Sequence, residues 1–348
     1  MRYIIAVSVF LLTGVPTAWA QKAVPAIAPA ITPLAAGAAV IDLREQMRKF
    51  VQSVSAYARK LNPNFIVIPE NGLELLVKRD VTNPERTAPA QAYMRAIDGV
   101  LVVGLFFPRG KPLGKDKQKA RLKRAEQAKA AGLKVLVVEY AKKAKKIDEA
   151  HRLNAALGFT PFAAPKPMDR LNAIPPYPAR PFAENPNSIL SLGDARNFLV
   201  LADSSAFGRQ DEFTMKMHAH NYDALIVDVF HGREALSKRA VETLKYKKIG
   251  GRRLVLARID IGSAASYRYY WKDHWREGSP LWITAPHRDN PDKHRVQYWR
   301  QEWRQVISGG AQSYIYGVIA QGFDGVVLQG VDAFRFFENP EIEEEDAP

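Results

Sequence analysis

Apolar residues in this chain gather in short runs rich in Val, Ile, Leu and Phe. Each run is bounded by polar or glycine-containing segments, and most are followed by a stretch with helical spacing. In chain order the runs cover residues 65–69, 100–107, 134–140, 159–163, 197–202, 224–230, 254–261 and 324–328. Near-continuous apolar strands separated by helices are what a parallel sheet covered on both faces requires. Eight such units in a chain of 348 residues predict an α/β fold, and within that class a (β/α)₈ TIM-type barrel over residues 41–340.

Two connections depart from the pattern. Residues 161–186 carry eight prolines, including Pro175, Pro176 and Pro178, which excludes an ordinary helix. This segment is either a linker between two half-sized domains or a long crossover within one barrel. The crossover is preferred, because neither half alone has enough strands to close a sheet. The second departure is the interval 262–321, far longer than the other connections, and loops of that length are usually functional.

The termini read differently from the body. Arg2, an apolar run from Ile4 to Val15 and Ala18-Trp19-Ala20 have the layout of a cleavable secretory signal over residues 1–20, with the mature chain beginning near Gln21. Residues 21–40, almost entirely Ala, Pro, Gly and Ile, predict a linker, and residues 341–348 form an acidic tail. No other run approaches the roughly 20 apolar residues needed to cross a bilayer, so no transmembrane anchor is expected and the mature protein is expected to be secreted or periplasmic. The chain has no cysteine, which excludes disulfides and thiolate zinc sites.

Charge adds one feature. The net charge is +14, and residues 109–152 hold 15 Lys/Arg against 5 Asp/Glu. Solvated helix faces explain this run, since KDKQKARLKRAEQAKAAG is rich in helix formers and poor in apolar residues. An anionic partner such as an acidic glycan or a membrane surface is the sharper alternative. Nucleic acid is not expected, because no recognition motif accompanies the charge.

In a barrel of this kind the site lies at the C-terminal ends of the strands. Those ends supply Glu70 and Asn71, Glu139 and Tyr140, Asp203, Asp228 with His231 close behind, Asp260 with Ser263, and Gln329 with Asp332. Such a ring of carboxylates suits glycoside hydrolysis, which needs a proton donor and a base or nucleophile roughly 5–9 Å apart. The five tryptophans that follow the signal segment, Trp271, Trp275, Trp282, Trp299 and Trp303, all fall in the long connection. They predict either the underside of a large loop or, for one or two of them, platforms for sugar rings. Arg268 reads equally as a substrate clamp and as a salt bridge. His218 and His220 have no third ligand at a recognisable spacing, so no metal site is expected. Ser204, Ser205 and Ser263 lack a GxSxG setting, and no GxGxxG or GxxxxGK[ST] motif occurs, so neither a serine hydrolase nor a nucleotide cofactor is expected.

The blocks NFLVLADSSAF, YDALIVDVF, RLVLARIDIGSAASYRYYWKDHW, VQYWRQEW and GFDGVVLQGVDAFRFFE resemble the bacterial extracellular family of endo-α-1,4-polygalactosaminidase-like glycoside hydrolases, also known as cysteinyl-tRNA synthetase-related. The match is dense over residues 197–338, and FIVIPENGLELL, AIDGVLVVGLFF and VLVVEY extend it to about Ile41. The synthetase label gains nothing from the residues, since no HIGH-type signature is present. The resemblance implies a secreted (β/α)₈ barrel that cuts amino-sugar polysaccharide with two carboxylates. Asp228 keeps one of them. Where the family reads SIGEAEDYR this chain reads DIGSAASYR, so Ser263 stands at the catalytic glutamate and Ala265 and Ser266 replace two more acids. The family's YLD becomes Val327-Leu328-Gln329, while Glu70 stands where relatives tend to have glutamine.

Serine and glutamine cannot donate a proton near neutrality or stabilise an oxocarbenium ion as a carboxylate does. Two functions therefore stand open. One is a glycosidase in which Asp228 works with Glu70, Asp260 or His231. The other is a non-catalytic module that holds a polysaccharide or cell-envelope polymer with Arg268, Tyr267, Trp271, Gln329, Asp332, Ser263 and Tyr140. A chain this basic repels a cationic polymer unless its cleft is acidic, so an acetylated or anionic amino-sugar polymer is the expected partner.

Overall fold

Each of the eight apolar runs forms a strand, and the eight, numbered β1–β8 along the chain, are Ile66–Pro69, Gly99–Val103, Lys134–Tyr140, Thr160–Ala164, Phe198–Leu201, Ala224–Val227, Leu254–Asp260 and Gly325–Gln329. The structure is a computed structural model that describes residues 41–80, 83 and 86–340; the expected signal segment, linker and acidic tail lie outside the described residues. All eight strands pair in parallel. Five make one sheet in the order β1-β8-β7-β6-β5, and three make a second in the order β2-β3-β4. A parallel bridge between Glu70 and Leu101 joins β1 to β2. Strand order thus follows chain order from β5 through β8 and β1 to β4.

The strand interiors are Val, Ile, Leu and Phe because both faces are covered. Val67, Ile68, Leu101, Val102, Val137, Val138, Leu199, Val200, Leu225 and Ile226 are all fully buried. Each such side chain contributes about 1.5–3 kcal/mol relative to exposure. The helix Leu43–Leu61 shows how the outer layer docks. Its buried residues Met47, Phe50, Val51, Val54 and Ala58 recur at spacings of three and four, so they form one stripe. Asp42 caps it by accepting a 2.8 Å hydrogen bond from Glu45 N. The basic run forms the helix Lys115–Ala130, in which only Ala125 and Ala128 are buried, so its lysines are solvated.

Several strands end earlier than the apolar runs. The run 100–107 stops at Val103 because Gly104 turns at φ +64°, where a Cβ would lie 2.6 Å from Pro108 Cα. The run 224–230 stops at Val227 because Asp228 accepts from Phe230 N at 2.9 Å and turns the chain. The proline-rich segment 161–186 contains no α-helix beyond β4, only the short 3₁₀ turn Met168–Arg170.

The long connection is built, not irregular. Ser263–Ala265, Asn290–Val296 and Ile283–His287 form a three-stranded antiparallel sheet with Asn290–Val296 in the middle, and the helices Gln301–Ser308 and Tyr314–Gln321 follow. Trp303 is fully buried beneath it and donates from Nε1 to Ile261 O at 2.8 Å.

Candidate functional site

The C-terminal ends of the strands open into a cleft of about 890 Å³. Strand periodicity puts Arg258 and Asp260, two apart on β7, on the same face, and both line it. Glu70 follows the last residue of β1, Asp228 the last residue of β6, and Gln329 ends β8 opposite Asp260 in register. Asn71, at φ +61°, fixes the end of β1 by accepting from Val103 N.

Three carboxylates at this rim are each held by a cation. Arg258 Nε and Nη2 donate to both oxygens of Glu70 at 2.8 Å. Arg268 donates to both oxygens of Asp228 at 2.9 and 2.6 Å. Lys293 Nζ lies 2.5 Å from Asp260 Oδ2, while Asp260 Oδ1 accepts from Gly262 N and Ser263 N, both at 2.9 Å. Burial alone works against an ionised Asp260, but Lys293 and these hydrogen bonds outweigh it and hold the carboxyl below its ordinary value. Forked two-bond pairs of the Arg258 and Arg268 kind fix position as well as charge. Asp332 is different: burial pushes its carboxyl up to about 6 against the pull of Arg335.

A second group lies on the antiparallel sheet. Ser263 Oγ and His287 Nε2 are 2.7 Å apart, and both line the cleft. Burial, reinforced by the charge of Lys293, pushes His287 down to about 4, so the imidazole is neutral near pH 7. His287, Lys293 and Arg258 were not picked out by sequence reasoning. Their positions depend on hairpin register and on strand alternation at the mouth, and no motif marks them.

Of the residues expected at the site, Glu70, Asp228, Asp260, Tyr140, Tyr267, Arg268, Gln329, Asp332 and Ser263 all line the cleft. Glu139, His231 and Trp271 do not. His231 is turned away: its Nε2–H donates to Gly208 O at 2.6 Å, which leaves Nδ1 to accept from Ser204 Oγ at 2.9 Å. Both nitrogens are engaged in holding two loops together, so the ring is no stand-in for a lost carboxyl. Trp271 packs edge-on against Trp275 and tilted against His294, and none of the five tryptophans of the long connection lines the cleft. The rings that do are Tyr140, Phe230, Tyr267, Tyr270 and Tyr314. Trp is large enough to serve as the foundation of the loop, and of the phenols Tyr267 is exposed while Tyr314 is buried.

Of the two roles expected of Arg268 the structure shows the salt bridge, to Asp228; the side chain also lines the cleft and lies over the rings of Phe230 and Tyr267 at 5.3 and 5.4 Å. Among the described residues, seven carboxylates and seven Arg/Lys side chains line the cleft, so this lining is neither strongly acidic nor strongly basic. Among the described residues, no group of three or more His, Asp or Glu side chains is arranged to hold a metal ion. No described helix is long and apolar enough to cross a membrane.

No protein-family model matches the chain. Parts of it are similar to proteins described only as uncharacterized. One from Methanocaldococcus jannaschii is 32% identical over 118 residues, 34% of this chain and 32% of that protein. One from Thermotoga maritima is 26% identical over 135 residues, 39% of this chain and 40% of its own length. One from Deinococcus radiodurans is 37% identical over 87 residues, 25% and 27% of the two chains. The matched stretches cover at most 40% of these relatives.

Proposed function

We propose that the eight strands close as a (β/α)₈ barrel, that the chain is exported, and that the cleft binds a segment of polysaccharide. Closure requires β4 to meet β5, and the 5.6 Å contact between the rings of Phe162 and Phe198 supports it. Export rests on the signal-like first 20 residues.

The observation that carries the glycan reading is a cleft whose rim carboxylates Glu70, Asp228 and Asp260 are fixed by cations beside the exposed phenol ring of Tyr267 and the half-buried ring of Tyr140. Fixed acceptors and donors match sugar hydroxyls, and flat rings match the apolar faces of pyranoses. The balanced charge of the cleft supports an acetylated amino sugar over a polymer of free amines, which needs an acidic surface.

One observation favours a second reading, cleavage of the glycosidic bond. Hydrolysis needs a carboxyl that keeps its proton and one that has lost it. Asp332, raised to about 6, is suited to the first role, and Asp260, held below its ordinary value, to the second. Asp228 is already engaged through both oxygens by Arg268 and serves binding.

The test is titration calorimetry of the protein with oligomers of N-acetylated, free-amine and uronic-acid sugars, with release of reducing ends measured in parallel. Binding of the acetylated or acidic oligomers that weakens by about tenfold or more in Asp228→Asn is the expected result. Reducing ends that vanish in Asp332→Asn assign hydrolysis as well. Absence of binding to every oligomer would remove the glycan reading.

A further inference from the structure

Serine–histidine pairs occur twice at the strand ends, and the two differ in where they face. Ser204 and His231 are 2.9 Å apart, but His231 is tied to Gly208 O and neither residue lines the cleft. Ser263 and His287 are 2.7 Å apart, and both line it. We propose that Ser263 and His287 form a nucleophile and general-base dyad, and that the cleft hydrolyses carboxylic esters, with a sugar as the alcohol half of the substrate. The sugar half rests on the glycan reading; the ester chemistry does not.

The local structure suits the role. Asp260 Oδ1 holds the amides of Gly262 and Ser263, which fixes the serine backbone at the end of β7. His287 sits on the far strand of the antiparallel sheet, next to the hairpin turn, so its ring is positioned by register and not by a mobile tail. Asp260, Lys293, Arg295 and His294 are the charged or titratable groups that act on the imidazole, and burial with the three basic ones outweighs Asp260 to keep it neutral. A neutral imidazole accepts a proton and an imidazolium cannot, while the lowered basicity of His287 makes it a weak base that returns the proton readily to the leaving oxygen.

In the reaction, Ser263 Oγ attacks the carbonyl carbon of the ester and His287 Nε2 takes the hydroxyl proton. The carbonyl electron pair moves to oxygen, on the side where the Lys293 ammonium lines the cleft. The C–O bond to the alcohol then breaks, and the leaving oxygen takes the proton from Nε2, giving free sugar hydroxyl and an acyl-serine. Water attacks the same carbon and gives a proton to Nε2. Collapse releases the carboxylic acid and returns that proton to Oγ.

The test needs no sugar. The full chain is treated with a fluorophosphonate probe, and the labelled peptide is identified by mass spectrometry; hydrolysis of p-nitrophenyl acetate is followed in parallel for the parent protein, Ser263→Ala, His287→Gln and Ser204→Ala. The expected result is one probe per chain on Ser263, a fall in turnover of about 10³-fold in Ser263→Ala and a similar fall in His287→Gln. Ser204→Ala should retain the parent rate. Label mapping in the unmodified chain decides the matter even where a variant fails to fold. Absence of label on Ser263 while a known serine esterase is labelled under the same conditions, or undiminished turnover in Ser263→Ala, overturns the proposal. Labelling of Ser263 without glycan binding leaves the dyad standing and removes only the sugar half, whereas glycan binding without labelling does the reverse.

Discussion

The two ends of the parallel strands carry the same chemistry for opposite purposes. At the N-terminal ends, Asp98, Asp223 and Asp324 each precede a strand, and each pairs with a cation: Arg59 at 2.8 Å, Lys247 at 2.6 Å and Arg252 at 2.6 Å. At the C-terminal ends, Glu70, Asp228 and Asp260 pair with Arg258, Arg268 and Lys293 at 2.8, 2.6 and 2.5 Å. Distances alone do not separate the sets. Their remaining hydrogen bonds do. Asp98 accepts from Val67 N, Asp223 from Arg196 N and Asp324 from Val255 N, so each acid staples its own strand to the start of a neighbour. Asp228 and Asp260 accept amides only two or three residues further on, so they shape their own loops and leave their cations facing the cleft. An ion pair built into the ladder serves the fold, whereas one built on a loop at the mouth serves the surface.

The largest expected effect tests the first half of that contrast. Lys247 and Asp223 are both fully buried, and Lys247 also donates to the carbonyls of Asn185 and Asn187. Removing one partner of a buried pair strands the other charge, at a cost of about 3–5 kcal/mol. Asp223→Ala should therefore lower the urea midpoint sharply, and a shift under about 1 kcal/mol would mean that the carbonyls alone satisfy the ammonium. At the cleft the expectation is reversed. Asp228→Asn keeps the shape of the side chain and one acceptor oxygen for Arg268, and both side chains reach water at the cleft (19% exposed each), so stability should fall by only about 1–2 kcal/mol, while glycan affinity should drop by about tenfold or more. If its denaturation curve moves as far as that of Asp223→Ala, the two rims are not functionally distinct.

Much of this was legible in the chain because burial on both faces writes long apolar runs, and all eight runs became parallel strands. Strand ends were less legible, since they depend on turn chemistry at single residues such as Gly104 and Asp228. The rim acids could be named because each abuts an apolar run. Their partners could not: Arg258 is a charge inside a strand pattern, and Lys293 and His287 lie in a polar segment with no alternation, joined to Asp260 and Ser263 only by antiparallel register. His231 and Trp271 lie outside the cleft lining for a common reason, that nearness in sequence to a strand end or to a tyrosine cluster does not fix which way a ring turns. One further signal is written in the chain. Asp followed by Gly or Ala opens three of the apolar runs, at Asp98, Asp223 and Asp324, and marks the stapled end of the strands.

Titration distinguishes two groups that line the cleft, the Asp332 carboxyl and the His287 imidazole. An unfolded aspartate ionises near 3.9 and an unfolded histidine near 6.5. With Asp332 raised to about 6, the folded chain holds a proton between about pH 4 and 6 that the unfolded chain has released, so stability falls as pH rises through that window. With His287 pushed down to about 4, the unfolded chain takes a proton that the folded chain refuses, so stability falls as pH drops from about 6.5 to 4. The two slopes oppose each other. Melting temperatures measured from pH 4 to 8 should show Asp332→Asn gaining on the parent protein at the alkaline end and losing that gain on acidification. His287→Gln should gain at the acidic end instead, and parallel curves for all three proteins would show that neither group differs between the folded and unfolded chains.

The smallest effect separates the rings that face the cleft from those beneath it. Tyr267 is 61% exposed, lines the cleft and lies under Arg268, so it can meet a sugar face only by giving up water from one side of its own ring. Its truncation should weaken glycan binding by about 1 kcal/mol, a few-fold in affinity, with almost no change in stability. Trp271 has the larger ring and the stronger intrinsic attraction for a sugar face, yet its contacts are Trp275 and His294. Trp271→Ala should therefore cost stability and leave affinity where it was. Calorimetric titration of the two variants with the same oligosaccharide checks both halves at once. A loss of affinity in Trp271→Ala with none in Tyr267→Ala would mean that the glycan lies across the antiparallel sheet and not along the strand ends, and the carboxylates of the rim would then need another purpose.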